Sequence, residues 1–99
     1  MQLEIRSTDE GYQLEGELDM ATADDLADVL RAAVEEARQL VLDFSGVSFM
    51  DSSGLRVLLE AAGKQNGAGP VVVRDPSAQV RRVLDISIPG GVPGLEVRG

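Results

Sequence analysis

Apolar and polar positions alternate twice near the start of the chain. Leu3 and Ile5 alternate with Glu4 and Arg6; after Asp9-Glu10-Gly11, Tyr12, Leu14, Gly16 and Leu18 alternate with Gln13, Glu15 and Glu17. A period of two puts successive side chains on opposite faces of a strand, so the pattern predicts two short strands joined by a turn into a hairpin. The period then changes. Leu26, Val29, Leu30, Ala33, Val34 and Ala37 recur at the i, i+3, i+4, i+7 spacing of one stripe on an amphipathic helix. Thr22 stands at the expected N-cap, with Asp25 three residues on in the acidic position of a capping box. Asp24, Asp25 and Asp28 fall in the first turns, where the helix dipole favours negative charge.

Leu40-Val41-Leu42-Asp43-Phe44 is a nearly continuous apolar run, which predicts a central strand covered on both faces. Ser45-Gly46 reads as its end. After Val47-Ser48-Phe49-Met50, a second helix is predicted from about Ser52 to Gln65, with Leu55, Leu58, Leu59 and Ala62 as its stripe and Asn66-Gly67-Ala68-Gly69-Pro70 as its stop. Val71-Val72-Val73 is another buried strand. Asp75-Pro76 reads as a cap followed by proline at the first helical position, and Val80, Val83 and Leu84 mark a short third helix. Pro89 to Gly94 is a loop, and Leu95-Glu96-Val97 a final edge strand. The order predicts one α/β domain over residues 1–99: an N-terminal hairpin, then βαβαβ, in a mixed, mostly parallel sheet with helices packed against it.

Composition narrows the chemistry. A chain of 99 residues holds one core, buries roughly 60% of its unfolded surface, and needs neither metal nor disulfide to fold. Its aromatics are only Tyr12, Phe44 and Phe49, so the core is built from Leu, Val, Ile and Ala. There is no Cys and no His. Disulfides and thiolate chemistry are excluded, and the commonest general base and metal ligand is missing. No Asp-x-Asp-x-Asp-Gly loop suggests a carboxylate metal site. The start, Met1-Gln2-Leu3-Glu4-Ile5, lacks the basic and apolar regions of a signal peptide, and no apolar run approaches the ~18 residues of a membrane span. A cytoplasmic protein is expected. Residues 1–50 carry 12 acidic and 3 basic side chains, a net charge of −9, whereas residues 51–99 carry 5 and 6, a net charge of +1. An acidic chain without a basic stripe is a poor binder of nucleic acid or of an anionic membrane.

The stretch most open to chemistry is Phe49-Met50-Asp51-Ser52-Ser53-Gly54-Leu55. It lies where a buried strand hands over to a helix, the place where open α/β sheets put their sites. Gly54 in a first helical turn costs about 1 kcal/mol of helix propensity, and leaves bare backbone beside two serines for a partner's close approach. Asp51 or Ser52 also serves as a plain N-cap, worth ~1 kcal/mol, and capping is compatible with modification. Asp19, closing Glu15-Gly16-Glu17-Leu18-Asp19, emerges at the same sheet edge, where it is equally a simple loop carboxylate. Arg74-Asp75-Pro76-Ser77 reads as a helix start. Met50 fits either the core or an exposed apolar anchor.

Taken in order and spacing, five segments resemble the STAS family. They are Gly16-Glu17-Leu18-Asp19, Leu42-Asp43-Phe44, Phe49 to Leu55, Arg74-Asp75-Pro76-Ser77 and Val80-Arg81-Arg82-Val83-Leu84, spanning roughly residues 3–88. The likeness is strongest to bacterial anti-sigma-factor antagonists, whose phosphoacceptor is the first serine of Asp-Ser-Ser-Gly. The resemblance implies a STAS fold and a partner-switching cycle. In it the unphosphorylated protein, a monomer when free, binds an anti-sigma factor that is also a serine kinase, and so frees a sigma factor. Phosphorylation at Ser52 ends the complex, and a serine phosphatase resets it. ATP and Mg²⁺ belong to the kinase, so no cofactor is expected here. Asp19, Asp51, Ser53, Gly54 and Arg56 would contact the partner around Ser52. Arg56, the only cation close in sequence, would steady the phosphate, pair with a partner carboxylate, or simply be solvated.

Other functions stay in view. Many antagonists continue into a final helix, whereas here Ile88-Pro89-Gly90-Gly91-Val92-Pro93 leads on to Gly99. That departure favours an accessory STAS protein of a transporter or chemosensory system, acting as a fixed protein-binding module. An enzyme using Ser52 as nucleophile would need a base. Lys64, the sole lysine, lies ~18 Å along the same helix, leaving only weak carboxylate bases. Gly67-Ala68-Gly69 does not link a strand to a helix as a dinucleotide fingerprint would, which disfavours a nucleotide- or lipid-binding module.

Overall fold

Leu3–Ser7 (β1) and Gly11–Leu18 (β2) form the expected hairpin in a computed structural model that describes residues 3–34, 39–65 and 69–99. Then follow Ala23–Val34 (α1), Leu40–Met50 (β3), Ser52–Gln65 (α2), Val71–Arg74 (β4), Ala78–Ser87 (α3) and Leu95–Arg98 (β5). The five strands lie side by side in chain order; β1 is antiparallel to β2, and every later pairing is parallel. The expected Ala37 of the first stripe and Asn66-Gly67-Ala68 of the second helix's stop lie outside the described residues.

The apolar stripes meet over one face of the sheet. Leu26, Leu30 and Ala33 of α1 and Leu55, Leu58 and Ala62 of α2 are buried in the same cluster as Leu14, Leu18, Leu42, Phe44, Val71 and Val73. Leu42, Phe44 and Leu58 are wholly inaccessible, each worth about 1.5–3 kcal/mol of burial. α1 packs on α2, which buries Val57 and Ala61 outside the expected stripe, whereas Leu59 of that stripe is only half-buried. Gly94 (φ +86°) lets the chain pass under α2 into β5, since a Cβ there would lie 2.7 Å from the Ala62 carbonyl oxygen.

The reverse face is different. Strand pairing sets Arg6, Gln13, Asp43, Arg74 and Arg98 in one row across it, next to a row containing Val41, Val72 and Glu96. Val41 and Val72 are buried but stand outside the main cluster. Arg74 bridges Glu10 and Asp43 at 3.5 and 3.6 Å. The Asp43 carboxyl is held below the usual carboxylate range, chiefly by hydrogen bonds from the Ser45 backbone and hydroxyl and further by Arg74.

Ser45-Gly46 does not end β3. The strand runs on to Met50 with two register shifts against β2, where Gln13–Glu15 faces Asp43–Gly46 and Gly16–Glu17 faces Val47–Phe49. Each β-bulge inserts one residue, so the inward positions become Phe44, Val47 and Met50, three apart. The second shift decides which end residue is core: Met50 is fully buried, while Phe49 is 38% exposed.

Candidate functional site

β2 and β3 end together at one sheet edge. Leu18 pairs with Met50, and the Asp51 N–H donates to the Leu18 carbonyl at 3.2 Å. Asp19 and Asp51-Ser52 therefore emerge side by side, as the parallel pairing of successive strands requires. The β2–α1 turn is closed by Thr22, though not as the expected capping box. Its buried hydroxyl donates to the Glu17 carbonyl at 2.8 Å and accepts from the Asp19 N–H at 3.1 Å, while the Asp25 N–H goes to the Thr22 carbonyl instead. Asp19 turns its carboxylate to the Ala21 N–H at 3.0 Å.

At the head of α2, Asp51 is the cap. Its Oδ1 accepts from the Ser53 N–H at 2.8 Å and the Gly54 N–H at 3.4 Å. Ser52 becomes the first helical residue, is exposed, and among the described residues its hydroxyl makes no hydrogen bond. Ser53 is half-buried. Gly54 corrects an expectation: it does not bare the backbone to a partner but faces the core. A Cβ there would lie 2.5 Å from Leu18 Cγ and 2.9 Å from Met50 Cγ, so the glycine sets how closely α2 approaches the strand ends. Arg56, one turn along, is exposed and joins no ion pair among the described residues.

The position of the Asp51-Ser52 junction is fixed from α3. Beyond Asp43↔Arg74 β4 no longer flanks β3, which would leave the Met50 backbone groups unpaired. Gln79 takes them: Met50 N–H donates to Gln79 Oε1 at 2.8 Å, and Gln79 Nε2 donates to the Met50 carbonyl at 3.1 Å. A side-chain amide thus stands in for a missing strand. The start of α3 also differs from expectation. Ser77, not Asp75, is the N-cap, accepting from the Val80 N–H at 3.3 Å, and Pro76 precedes the helix. Asp75 has φ +54° and its N–H donates to the Arg98 carbonyl at 2.8 Å.

The structure brings Asp19, Asp51, Ser52 and Ser53 to one edge and sets Arg56 one helical turn further along. It removes Met50 as an exposed anchor. The most exposed apolar residue there is Met20, 81% accessible at the tip of the β2–α1 turn. Sequence reasoning passed over both Met20 and Gln79. A long amide in the first turn of a helix carries no signal of its own, and an apolar residue in a turn is the only hint for Met20. A crevice of about 10 Å³ between α1 and α2 and an open hollow of about 510 Å³ beside β5 both lie away from Ser52. Among the described residues no group of three or more carboxylates can hold a metal ion, and no helix is long and apolar enough to cross a membrane.

A family model described as "Mlab, STAS domain" matches residues 1–88. Solved structures share the fold. An anti-sigma factor antagonist from Mycobacterium paratuberculosis is 26% identical, with a TM-score of 0.79 over 95% of this chain and 83% of that one. The Bacillus cell fate determinant SpoIIAA in its phosphorylated form is 25% identical, with a TM-score of 0.67 over 96% and 89%. The unphosphorylated anti-sigma factor antagonist SpoIIAA is 23% identical, with a TM-score of 0.67 over 94% and 86%. With the family model covering most of the chain and the five-stranded architecture in agreement, this protein belongs to the STAS domain family, and these solved neighbours are anti-sigma factor antagonists.

Proposed function

We propose that this protein is a cytoplasmic anti-sigma-factor antagonist whose unphosphorylated form binds an anti-sigma factor with serine-kinase activity, frees a sigma factor, and is switched off by phosphorylation at Ser52. The observation that carries the reading is the state of Ser52: an exposed hydroxyl at the first position of α2, without a hydrogen bond among the described residues and beside a cap already supplied by Asp51. A kinase can reach it without unfolding anything. The solved relatives support the reading, one of them a phosphorylated antagonist. With no His, the chain lacks the commonest general base, and ATP belongs to the kinase.

A phosphate adds about −1.5 to −2 charges. At ~5 Å from one carboxylate such as Asp51, repulsion is roughly 1.7 kcal/mol at water's dielectric and ~6.6 at an effective value of 20. About 3 kcal/mol already weakens a complex more than ~100-fold. The charge therefore acts where the partner must desolvate the edge formed by Asp19, Met20, Asp51, Ser52, Ser53 and Arg56. A second reading, a fixed binding module accessory to a transport or chemosensory system, draws on the family model's description, which names no antagonist. Phosphorylation with ATP, Mg²⁺ and the anti-sigma kinase, followed by mass spectrometry, separates the two. The switch predicts phosphate on Ser52 and loss of the complex in Ser52→Glu. No phosphate there, with Ser52→Glu binding intact, selects the fixed module.

A further inference from the structure

The structure limits which groups can pair with a phosphate on Ser52. Backbone amides at a helix start are the usual receptors, but here the three that follow Ser52 are taken. Ser53 N–H and Gly54 N–H already donate to Asp51 Oδ1, and Leu55 N–H donates to the Asp51 carbonyl at 3.2 Å. The acidic neighbours, Asp51 and Asp19, repel a phosphate. Gln79 is occupied on both ends by the Met50 backbone.

Arg56 remains. It lies four residues after Ser52 on α2, so the two side chains share a face about 5–6 Å apart at Cβ. Helical Cα–Cβ bonds lean toward the N-terminus, which carries a long side chain at i+4 back over position i. An anion placed N-terminal to its cation is the favourable order, and a guanidinium takes phosphate bidentately. Arg56 is exposed, with no ion pair among the described residues to give up. Glu60, four residues beyond, is the other carboxylate within one turn, but it carries a single charge in the less favourable order.

We propose that Arg56 is the internal receptor of the Ser52 phosphate, so that phosphorylation withdraws from the partner-facing edge the cation nearest to it in sequence. The inference rests on Ser52 being the modified residue. It gives phosphorylation two effects at once: an anion is added, and a guanidinium that a partner carboxylate would otherwise meet is engaged from within.

Phosphoserine installed at position 52 during translation makes the test independent of any kinase. In isotope-labelled protein the Arg56 Nε–Hε resonance is expected to shift and its exchange with water to slow on phosphorylation, while that of exposed Arg82 stays put. Arg56→Gln is expected to weaken the unmodified protein's complex with its anti-sigma factor about tenfold and to shrink the phosphorylation penalty by a similar factor. Arg56→Lys should recover only part of both, because an ammonium lacks the fork. An unmoved Arg56 resonance, or an Arg56→Gln complex that phosphate weakens by the full wild-type factor, overturns the proposal. A shifted Arg56 resonance in a phosphoprotein that still binds its anti-sigma factor normally supports the receptor and sinks the switch.

Discussion

Two helices of this molecule begin with similar residues after parallel strands, yet they leave their serines in opposite states. α2 opens through Asp51-Ser52-Ser53-Gly54 and α3 through Asp75-Pro76-Ser77-Ala78. At α2 the aspartate caps, and the following serine is left with an exposed hydroxyl that has no hydrogen bond among the described residues. At α3 the aspartate is held at φ +54° by its bond to the Arg98 carbonyl. The chain then passes through buried Pro76, and capping falls to Ser77, whose hydroxyl is consumed by Val80 N–H. The residue that caps decides which hydroxyl is left for chemistry. At this sheet edge an aspartate in the cap is what makes a serine available.

The largest test of this contrast concerns how each helix start is seated. Gly54→Val pushes a side chain into Leu18 and Met50 and is expected to cost about 3 kcal/mol by overpacking, read as a lower denaturation midpoint. Ala78→Val, at an exposed position of α3, should change stability by under about 0.5 kcal/mol. Equal losses would show that the α2 start is not specially seated.

Next in size is the tie between the two regions. Gln79→Ala leaves the Met50 N–H and carbonyl without their partner and should cost about 2 kcal/mol. Amide exchange at Met50 should quicken with it; unchanged exchange would mean that the amide is not what fixes the end of β3.

Capping itself comes third. Ser77→Ala and Asp51→Ala should each lose about 1 kcal/mol, whereas Ser52→Ala should stay within about 0.5 kcal/mol of the parent. A Ser52→Ala loss as large as that of Ser77→Ala would erase the contrast. The smallest effect is read in acid, on the reverse face where Arg74 leads into the α3 start. Because the folded Asp43 carboxyl lies below its ordinary value of 3.8, its stabilising contribution is complete above that value and is lost as pH falls through the folded one. Asp43→Asn should flatten the acid limb of the stability profile, and an unchanged slope would count against the Ser45 and Arg74 contacts.

Much of this was legible in the sequence, for identifiable reasons. Period two in 3–18 and the stripes of α1 and α2 report burial on one face, and that face exists. The handover at Asp51-Ser52 follows from a buried run meeting a helical stripe. What escaped was set by neighbours in space. Ser45-Gly46 has turn chemistry, and nothing local says that β2 will hold the strand together through two bulges. Asp75-Pro76 and Ser77 offer rival caps, and the choice is made by Arg98, on a strand that arrives more than twenty residues later. Thr22 looks like a cap from its position but spends its hydroxyl backward on Glu17, because the β2–α1 turn needs closing.

The most direct test of the central claim is site-resolved phosphorylation. The protein is incubated with ATP, Mg²⁺ and the proposed anti-sigma kinase, and Ser52, Ser53 and Ser77 are compared by mass spectrometry. Phosphate is expected on Ser52 and not on the Ser77 hydroxyl that caps α3, with the complex dissociating as Ser52 fills. Phosphate confined to another serine, or a Ser52-phosphorylated protein that still holds its partner, would contradict it.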